Sequence, residues 1–226
     1  MTTQYDELYR EFALSLFRIG AVKLDKVGFK LKLHETNPTA PLSPIFFNLR
    51  DADNPKPGPM TPWAYRTAAA LLDELVDKGK IEFDYFASIP NAGDPFVDAL
   101  VELNPTRWSE ERRIKLHKQL NADGTRQIDQ ITDGTIEPGS RVLLIDDLIT
   151  EADTKLEAVK VLRDAGLVVE HLLVLIDRCQ GGSDTMTING VTTHSVYQLP
   201  ILLVGYVEAG LIDQALATKV LDYLRG

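Results

Sequence analysis

Residues 141–155, with the sequence Arg-Val-Leu-Leu-Ile-Asp-Asp-Leu-Ile-Thr-Glu-Ala-Asp-Thr-Lys, decide the fold that this chain is expected to adopt. The apolar run at 142–145 is typical of a strand that is buried on both faces of a parallel sheet. A short polar loop then leads into residues 154–165, where apolar side chains recur at helical spacing before a stop at Gly166. The stretch therefore predicts a strand, a loop and a helix.

Two adjacent acids, Asp146 and Asp147, come directly after the apolar run. Open α/β sheets bind their ligands at the carboxyl ends of the strands, so we expect a ligand site here. Carboxylates suit ribose hydroxyls or magnesium, and the amides at the start of a helix suit a phosphate group. The chemistry of this stretch is therefore suited to a sugar phosphate.

The first half of the stretch resembles the phosphoribosyl pyrophosphate (PRPP) signature of the type I phosphoribosyltransferases. In that signature two aspartates, two apolar residues and a threonine follow an apolar strand, as they do at 146–150. The resemblance implies that Asp146 and Asp147 hold the ribose hydroxyls of PRPP and stabilise the cationic sugar of the reaction. It also implies magnesium (Mg2+) as the cofactor. The residues that would hold the 5′-phosphate are Thr150, Glu151, Ala152, Asp153 and Thr154.

The second half departs from the signature, because family loops are usually uncharged and contain glycine. A carboxylate about 6 Å from a phosphate charge repels it by roughly 3 kcal/mol at an effective dielectric constant of about 20, or about a hundredfold in binding. Ala152 adds ~1–2 kcal/mol if its position requires a positive φ. Thr150 and Asp153 also match a capping box, in which Asp153 would bind the Thr150 amide. Alternatively, Glu151 and Asp153 face solvent and leave only amides for the phosphate.

Elsewhere predicted strands and helices alternate, which is typical of a parallel sheet covered by helices. Helices are predicted at 5–19, 62–79, 95–103, 201–209 and 211–224, and strands around 45–47 and at 83–89, 168–177 and 191–197. A Lys-Val-Gly turn at 26–28 predicts a hairpin within 21–33. We expect an α/β type I phosphoribosyltransferase fold, with a central, mainly parallel sheet flanked by helices. The chain is predicted to form one domain over 1–226, with an N-terminal helix and small hood over about 1–60 and the core over about 61–226.

The composition limits the class of protein. The chain has 226 residues, of which 44% are hydrophobic and 25% charged, so that a full core is expected. A net charge of −9 argues against nucleic acid as a partner. One cysteine and four histidines provide neither a disulfide nor a Cys/His metal site. We expect a cytoplasmic protein without a membrane segment, because the sequence contains no long apolar run and its N-terminus lacks the features of a signal peptide.

A strand followed by a Pro/Gly loop is predicted at 83–95. Gly93 would let backbone N–H groups approach an anion closely. The segment resembles the pyrophosphate-binding loop of orotate phosphoribosyltransferases, which implies that Ala92 and Gly93 bind substrate. The alternative is a strand–turn–helix corner that binds no ligand.

Five basic residues and one histidine lie between positions 107 and 118. Such a cluster suits the developing charge of a pyrophosphate leaving group. In orotate phosphoribosyltransferases a mobile basic loop covers the site and often reaches the neighbouring subunit. The resemblance implies catalytic roles for Arg112, Lys115 and His117, although Glu111 stands where the family has its first arginine. The alternative is a solvated helix face of mixed charge.

Three further matches favour orotate over other bases. Lys32 matches a lysine of the family, and Ser43-Pro44-Ile45-Phe46-Phe47-Asn48 matches a strand whose backbone meets the pyrimidine. Arg178 matches the arginine that pairs with the orotate carboxylate, and a planar guanidinium is a suitable donor for a carboxylate. For Phe46 and Phe47 core packing is the alternative, and for Arg178 a surface ion pair. The separation of Lys32 from Ser43 implies an insertion at 34–42.

The resemblance spans nearly the whole chain, with its motifs in family order. It implies an orotate phosphoribosyltransferase that takes PRPP and orotate as substrates and forms a homodimer. Residues 151–154 form an acidic loop, because they include Glu151 and Asp153. This acidic loop leaves a second hypothesis open: a protein of the same fold that has lost PRPP chemistry and binds a nucleotide or a protein partner. A phosphoribosyltransferase for another base is a third possibility.

Overall fold

The computed structural model describes residues 4–31, 34, 37–121, 126–134 and 136–225. Within these ranges the helices are α1 (Gln4–Arg18), α2 (Pro62–Gly79), α3 (Asp94–Leu103), α4 (Asp153–Asp164), α5 (Gly182–Ile188), α6 (Leu199–Glu208) and α7 (Gln214–Arg225), with a 3-10 turn at Glu110–Arg112. The strands are β1 (Val22–Phe29), β2 (Ser43–Phe47), β3 (Tyr85–Ser88), β4 (Arg113–Leu120), β5 (Arg126–Asp133), β6 (Arg141–Ile149), β7 (Val168–Asp177) and β8 (Thr192–Gln198). None of these helices is long and apolar enough to cross a membrane.

The chain divides into two compact units, one of Tyr65–Tyr197 and one of Met1–Ala64 with Gln198–Gly226. The first contains a six-stranded sheet in the order β5-β4-β3-β6-β7-β8. Strands β4, β3, β6 and β7 run parallel, and β5 is antiparallel to β4. Helices α3 and α4 pack on this sheet. The predicted α/β fold with a mainly parallel sheet flanked by helices is therefore confirmed, whereas the single-domain boundary stays a prediction.

The central strand β6 is longer than its apolar run predicts. It continues through the two acids to Ile149, because Leu148 pairs with Ile176 and Ile149 with Asp177 on β7. Val142 to Ile145 are at most 2% exposed, as expected for a strand covered on both faces. Asp146 pairs with Val174, so both acids lie within a paired strand instead of in a loop.

Helix α4 packs against the sheet through residues at helical spacing. Ala158, Val159 and Leu162 are buried in one cluster with Val142 and Leu144 of β6. Burial of each large aliphatic side chain contributes about 1.5–3 kcal/mol. The helix is thereby held against the sheet, and a short loop joins its first turn to the end of β6.

The basic segment forms a strand instead of a helix face. After the 3-10 turn, β4 pairs in parallel with β3 and antiparallel with β5. Ile114 and Leu116 alternate with polar residues, and both are buried. The predicted alternative of a solvated helix is wrong, since a period of two residues matches a strand.

In the other unit, β1 pairs antiparallel with β2. The hairpin predicted within 21–33 is wrong, because Gly28, with φ +109°, lies inside β1 at an irregularity of the register. An added Cβ there would lie 2.8 Å from the Leu42 side chain, so glycine permits close approach instead of a turn. Helix α7 begins three residues later than predicted, because Asp213 caps it by accepting the Leu216 N–H at 2.8 Å.

Candidate active site

The acidic pair lies at the carboxyl end of β6 and is held by hydrogen bonds. Asp146 is 2% exposed, and its Oδ2 lies 2.7 Å from the Lys155 ammonium. Its Oδ1 accepts the N–H of Asp147 at 2.8 Å. Asp147 is partly exposed, so it is the more accessible acid. Partial burial, which removes water from the carboxylate, and then the negative charge of Asp146 raise the pKa of Asp147 to about 7.

The predicted phosphate loop leads into the first turn of α4. Ala152 is the N-cap residue, with φ −97°, and no side chain hydrogen-bonds to this cap. The capping box predicted for Thr150 and Asp153 is therefore wrong, and Ala152 carries no positive-φ penalty. Glu151 and Asp153 are exposed, whereas Ala152 is 3% exposed. The first amides of a helix have no intrahelical partner, so this turn is suited to an anion.

The loop after β3 lies next to the acidic pair, because β3 is the neighbour of β6 and Ser88 pairs with Ile145. The N–H of Ile89 donates to the Ile145 carbonyl at 2.9 Å. A Cβ at Gly93 would lie 2.6 Å from the same carbonyl oxygen, so only glycine fits without a shift of backbone. Ala92, beside it, is exposed.

On the other side of β6, Arg178 follows the end of β7. Its N–H donates to the Ile149 carbonyl at 3.0 Å, and its Nη1 donates to Thr150 Oγ1 at 3.4 Å. Gly182 donates its N–H to the Thr150 carbonyl at 3.1 Å. The structure thus brings together the acidic pair, the 150–154 turn, the loop at Gly93 and Arg178 at one edge of the sheet.

Two lysines at this edge are absent from the predicted site. Lys155 lies on the buried side of α4, and Lys118 donates from its ammonium to the Pro90 carbonyl at 3.1 Å. Lys118 shares a face of β4 with Ile114 and Leu116, and burial lowers its pKa. Sequence spacing could have placed both lysines. Residue 155 has helical spacing with 158, 159 and 162, and residue 118 alternates with 114 and 116 as in a strand.

Arg112 lies away from this edge. It donates to the carbonyls of Phe83, Asp84 and Arg107 at 2.6–2.7 Å, and its guanidinium lies 4.9 Å from the centre of the Phe83 ring. Phe83 and Asp84 precede β3, so Arg112 is at the amino end of the strand whose carboxyl end adjoins the acidic pair. Arg112 is therefore not among the side chains that the structure brings to the edge with the acidic pair.

Lys115 and His117 lie on the exposed side of β4. The Lys115 ammonium is 3.2 Å from Glu110 Oε1 and 3.3 Å from Asp133 Oδ2. His117 Nδ1 lies 2.8 Å from Asp129 Oδ1. Both side chains thus contact other acids, and within the part of the chain that the structure describes neither contacts Asp146 or Asp147.

The residues expected to contact the base belong partly to the other unit. Phe46 and Phe47 lie on β2 and are half-buried, and the Phe46 ring centre is 5.8 Å from that of Phe29. Lys32 lies outside the described residues, as do residues 33, 35 and 36 around the start of the expected insertion.

For magnesium, the described residues contain no group of three acidic, histidine or cysteine side chains that could hold a metal. Magnesium is commonly bound by one or two carboxylates together with substrate phosphates. The partly exposed Asp147 could add such an oxygen ligand. The donor set therefore fits a metal that arrives with a phosphorylated substrate.

Comparison with known proteins identifies relatives, although no family model matches the chain. The orotate phosphoribosyltransferase of Leptospira biflexa serovar Patoc is 30% identical over 130 residues, which are 58% of this chain and 69% of that protein. The uridine 5′-monophosphate synthase of Bos taurus is 26% identical over 198 residues, 88% of this chain. The chain spans 37% of that synthase and 32% of the synthase of Caenorhabditis elegans. The solved UMP synthase of Leishmania donovani superposes with a TM-score of 0.69 at 26% identity, over 95% of this chain and 42% of that one.

Proposed function

The chain belongs to the orotate phosphoribosyltransferase family, and from that premise we propose that it transfers the phosphoribosyl group of PRPP to orotate, giving orotidine 5′-monophosphate and pyrophosphate. The observation that carries the proposal is the order along β6 and α4: a buried strand, two acids and a helix start without a side-chain cap. The acids suit the sugar, and the first-turn amides suit its phosphate.

Different residues of the site bind different parts of the two substrates. Asp146 and Asp147 accept hydrogen bonds from the ribose hydroxyls and stabilise positive charge that develops on the sugar. Thr150 and the backbone of residues 151–154 hold the 5′-phosphate, and the backbone at Ala92 and Gly93 holds pyrophosphate. Arg178 pairs with the orotate carboxylate. Holding both reactants in line also lowers the barrier, because well-oriented bound groups can contribute about 7–11 kcal/mol in this way.

Other parts of the proposal rest on the resemblance. Lys32, Phe46 and Phe47 would contact the base, and Lys115 and His117 would reach the leaving group, in the neighbouring subunit of a homodimer. Magnesium, when bound with PRPP, would offset the charge of the pyrophosphate. The homodimer and the cytoplasmic location stay predictions.

The carboxylates of the acidic loop are the reason to consider a second candidate, a protein of this fold without PRPP chemistry. Glu151 and Asp153 are exposed, and solvent screens exposed charges, so their repulsion of a phosphate is smaller than for buried carboxylates. This favours the enzyme over the second candidate.

The test is pyrophosphate release from PRPP and magnesium with orotate, compared with a no-base control and a panel of other bases. We expect orotate-dependent release that falls sharply in Asp147→Asn and in Arg178→Ala. Pyrophosphate release with a base other than orotate, and none with orotate, would assign that base as the substrate. No release with any base, from protein shown to be folded, would favour the second candidate.

A further inference from the structure

Lys155 forms a buried ion pair with one of the two site acids. Its ammonium lies 2.7 Å from Asp146 Oδ2, and the two side chains are 11% and 2% exposed. Breaking a buried pair by removing one partner is strongly disfavoured, because it leaves an uncompensated charge away from water. The orientation of Asp146 in the site therefore depends on Lys155.

The position of Lys155 is unusual for a lysine that serves only stability. It is the third residue of α4, and a cation in the first turn of a helix is disfavoured by the helix dipole. Its neighbours on the same side of the helix, Ala158, Val159 and Leu162, are apolar core residues, so an apolar side chain would fit the packing pattern. The ion pair with Asp146 offsets the unfavourable helix dipole and the burial of the ammonium.

The rest of the Asp146 carboxylate is held by the backbone. Oδ1 accepts the N–H of Asp147, so the Lys155 ammonium on Oδ2 fixes the second oxygen and with it the plane of the carboxylate. Catalytic groups require such support, because a small displacement of a binding group costs much of the rate.

We propose that Lys155 is a positioning residue of the active site, which holds the Asp146 carboxylate in the orientation in which it meets the ribose of PRPP. The inference rests on the proposed function. It assigns to α4 a second role beside phosphate binding, since the same first turn that supplies amides also supplies the cation that orients the acid.

The experiment measures steady-state kinetics and calorimetric binding of PRPP, with magnesium, for Lys155→Met. We expect the KM and Kd for PRPP to rise by about tenfold or more, with a smaller change in the KM for orotate. Lys155→Arg, which keeps the charge, should recover most of the PRPP affinity. Lys160→Met is the matched control, because Lys160 lies on the same helix and contacts Asp164 on the exposed side, and its constants should equal those of the unmodified protein.

A double-variant cycle separates positioning from a general loss of structure. If Lys155 acts through Asp146, Lys155→Met should change PRPP affinity by less than about twofold when Asp146→Asn is already present. Thermal unfolding of each variant verifies that it is folded at the assay temperature, and Lys155→Gln replaces Lys155→Met if the latter is not. An unchanged PRPP affinity in the folded variant, or full additivity in the cycle, would overturn the inference and leave the proposed function intact. If the unmodified protein itself neither binds nor converts PRPP, both the proposed function and this inference are wrong.

Discussion

The guanidinium of Arg178 donates from Nη1 to the Thr150 hydroxyl at 3.4 Å. The residue proposed to bind the base therefore contacts a residue proposed to bind the phosphate. Both are also joined through the backbone, because Arg178 donates its N–H to Ile149, the residue before Thr150. The base end and the phosphate end of the site are thus built on the adjacent carboxyl ends of β6 and β7.

Arg178→Lys is expected to raise the KM for orotate by about tenfold or more and to change the KM for PRPP by less. A planar guanidinium can bind a carboxylate through two N–H groups, whereas an ammonium acts as a point charge. Steady-state kinetics with each substrate varied in turn measures both constants. Arg225→Lys is the control, since Arg225 is exposed on α7 and forms its ion pair with the exposed Asp222 of the same helix. Equal changes in the two KM values would contradict a role in base recognition.

Asp147 predicts a pH dependence of activity. Its pKa is raised to about 7, and only the carboxylate form accepts hydrogen bonds from both oxygens. The kcat/KM for PRPP should therefore rise between pH 6 and pH 8, a window taken as about one unit on either side of that pKa. Asp147→Asn should have a low rate without this rise. A rise that persists unchanged in Asp147→Asn would assign the titration to another group.

The raised pKa of Asp147 also predicts that the free energy of unfolding falls as the pH rises, in contrast to the activity. A carboxyl whose pKa is higher in the folded than in the unfolded protein stabilises the fold at low pH. For Asp147 this contribution is complete at a pH below about 4, the ordinary pKa, and is lost as the pH rises through about 7. Asp147→Asn should therefore gain stability relative to the unmodified protein as the pH rises from 5 to 8, by about 2 kcal/mol after allowance for its partial exposure. Denaturant unfolding at the two pH values measures the difference.

The acidic loop provides a direct test of the phosphate site. Glu151→Gln and Asp153→Asn remove one negative charge each beside the first turn of α4. Because both side chains are exposed, we expect PRPP to bind about two- to tenfold more tightly in each variant, less than the hundredfold calculated for carboxylates that face the phosphate. Calorimetric titration at two salt concentrations would show a smaller gain at high salt. Glu137→Gln, exposed before the amino end of β6, is the control. Weaker binding in both loop variants would show that these carboxylates stabilise the loop instead of repelling the ligand.

Apolar runs predicted the core strands well, whereas mixed sequences were misinterpreted. Strand β7 has the predicted bounds, because its apolar residues are buried on both faces. Strands β4 and β5 were missed: Arg113–Leu120 carries enough charge to resemble a solvated surface, although Ile114 and Leu116 alternate as in a strand. The extension of β6 depends on pairing with β7, which is set by residues distant in the sequence.

The same distinction applies to the site. The motifs predicted a site at the acidic pair, the loop at Gly93 and Arg178, and the structure places these residues near one another at the ends of neighbouring strands. They did not identify Lys155, because a lysine in a helix is usually exposed and its burial follows only from its apolar neighbours on one side of α4. Nor did the motifs exclude Arg112, whose position depends on the direction in which its side chain turns at the start of β4.

Arg112 provides the last prediction, which separates its structural contacts from the catalytic role that the resemblance implies. Its three hydrogen bonds to the carbonyls of Phe83, Asp84 and Arg107 join the segments on either side of β3. Arg112→Met should therefore lower the free energy of unfolding by about 2 kcal/mol, since partly buried carbonyls lose charged donors. The kcat/KM for PRPP and orotate, measured where the variant is folded, should stay within about threefold of the unmodified value because the side chain lies at the amino end of the sheet. Arg225→Met should change neither quantity. A large loss of kcat in Arg112→Met without a loss of stability would instead require Arg112 to leave these carbonyls and reach the substrate during the reaction.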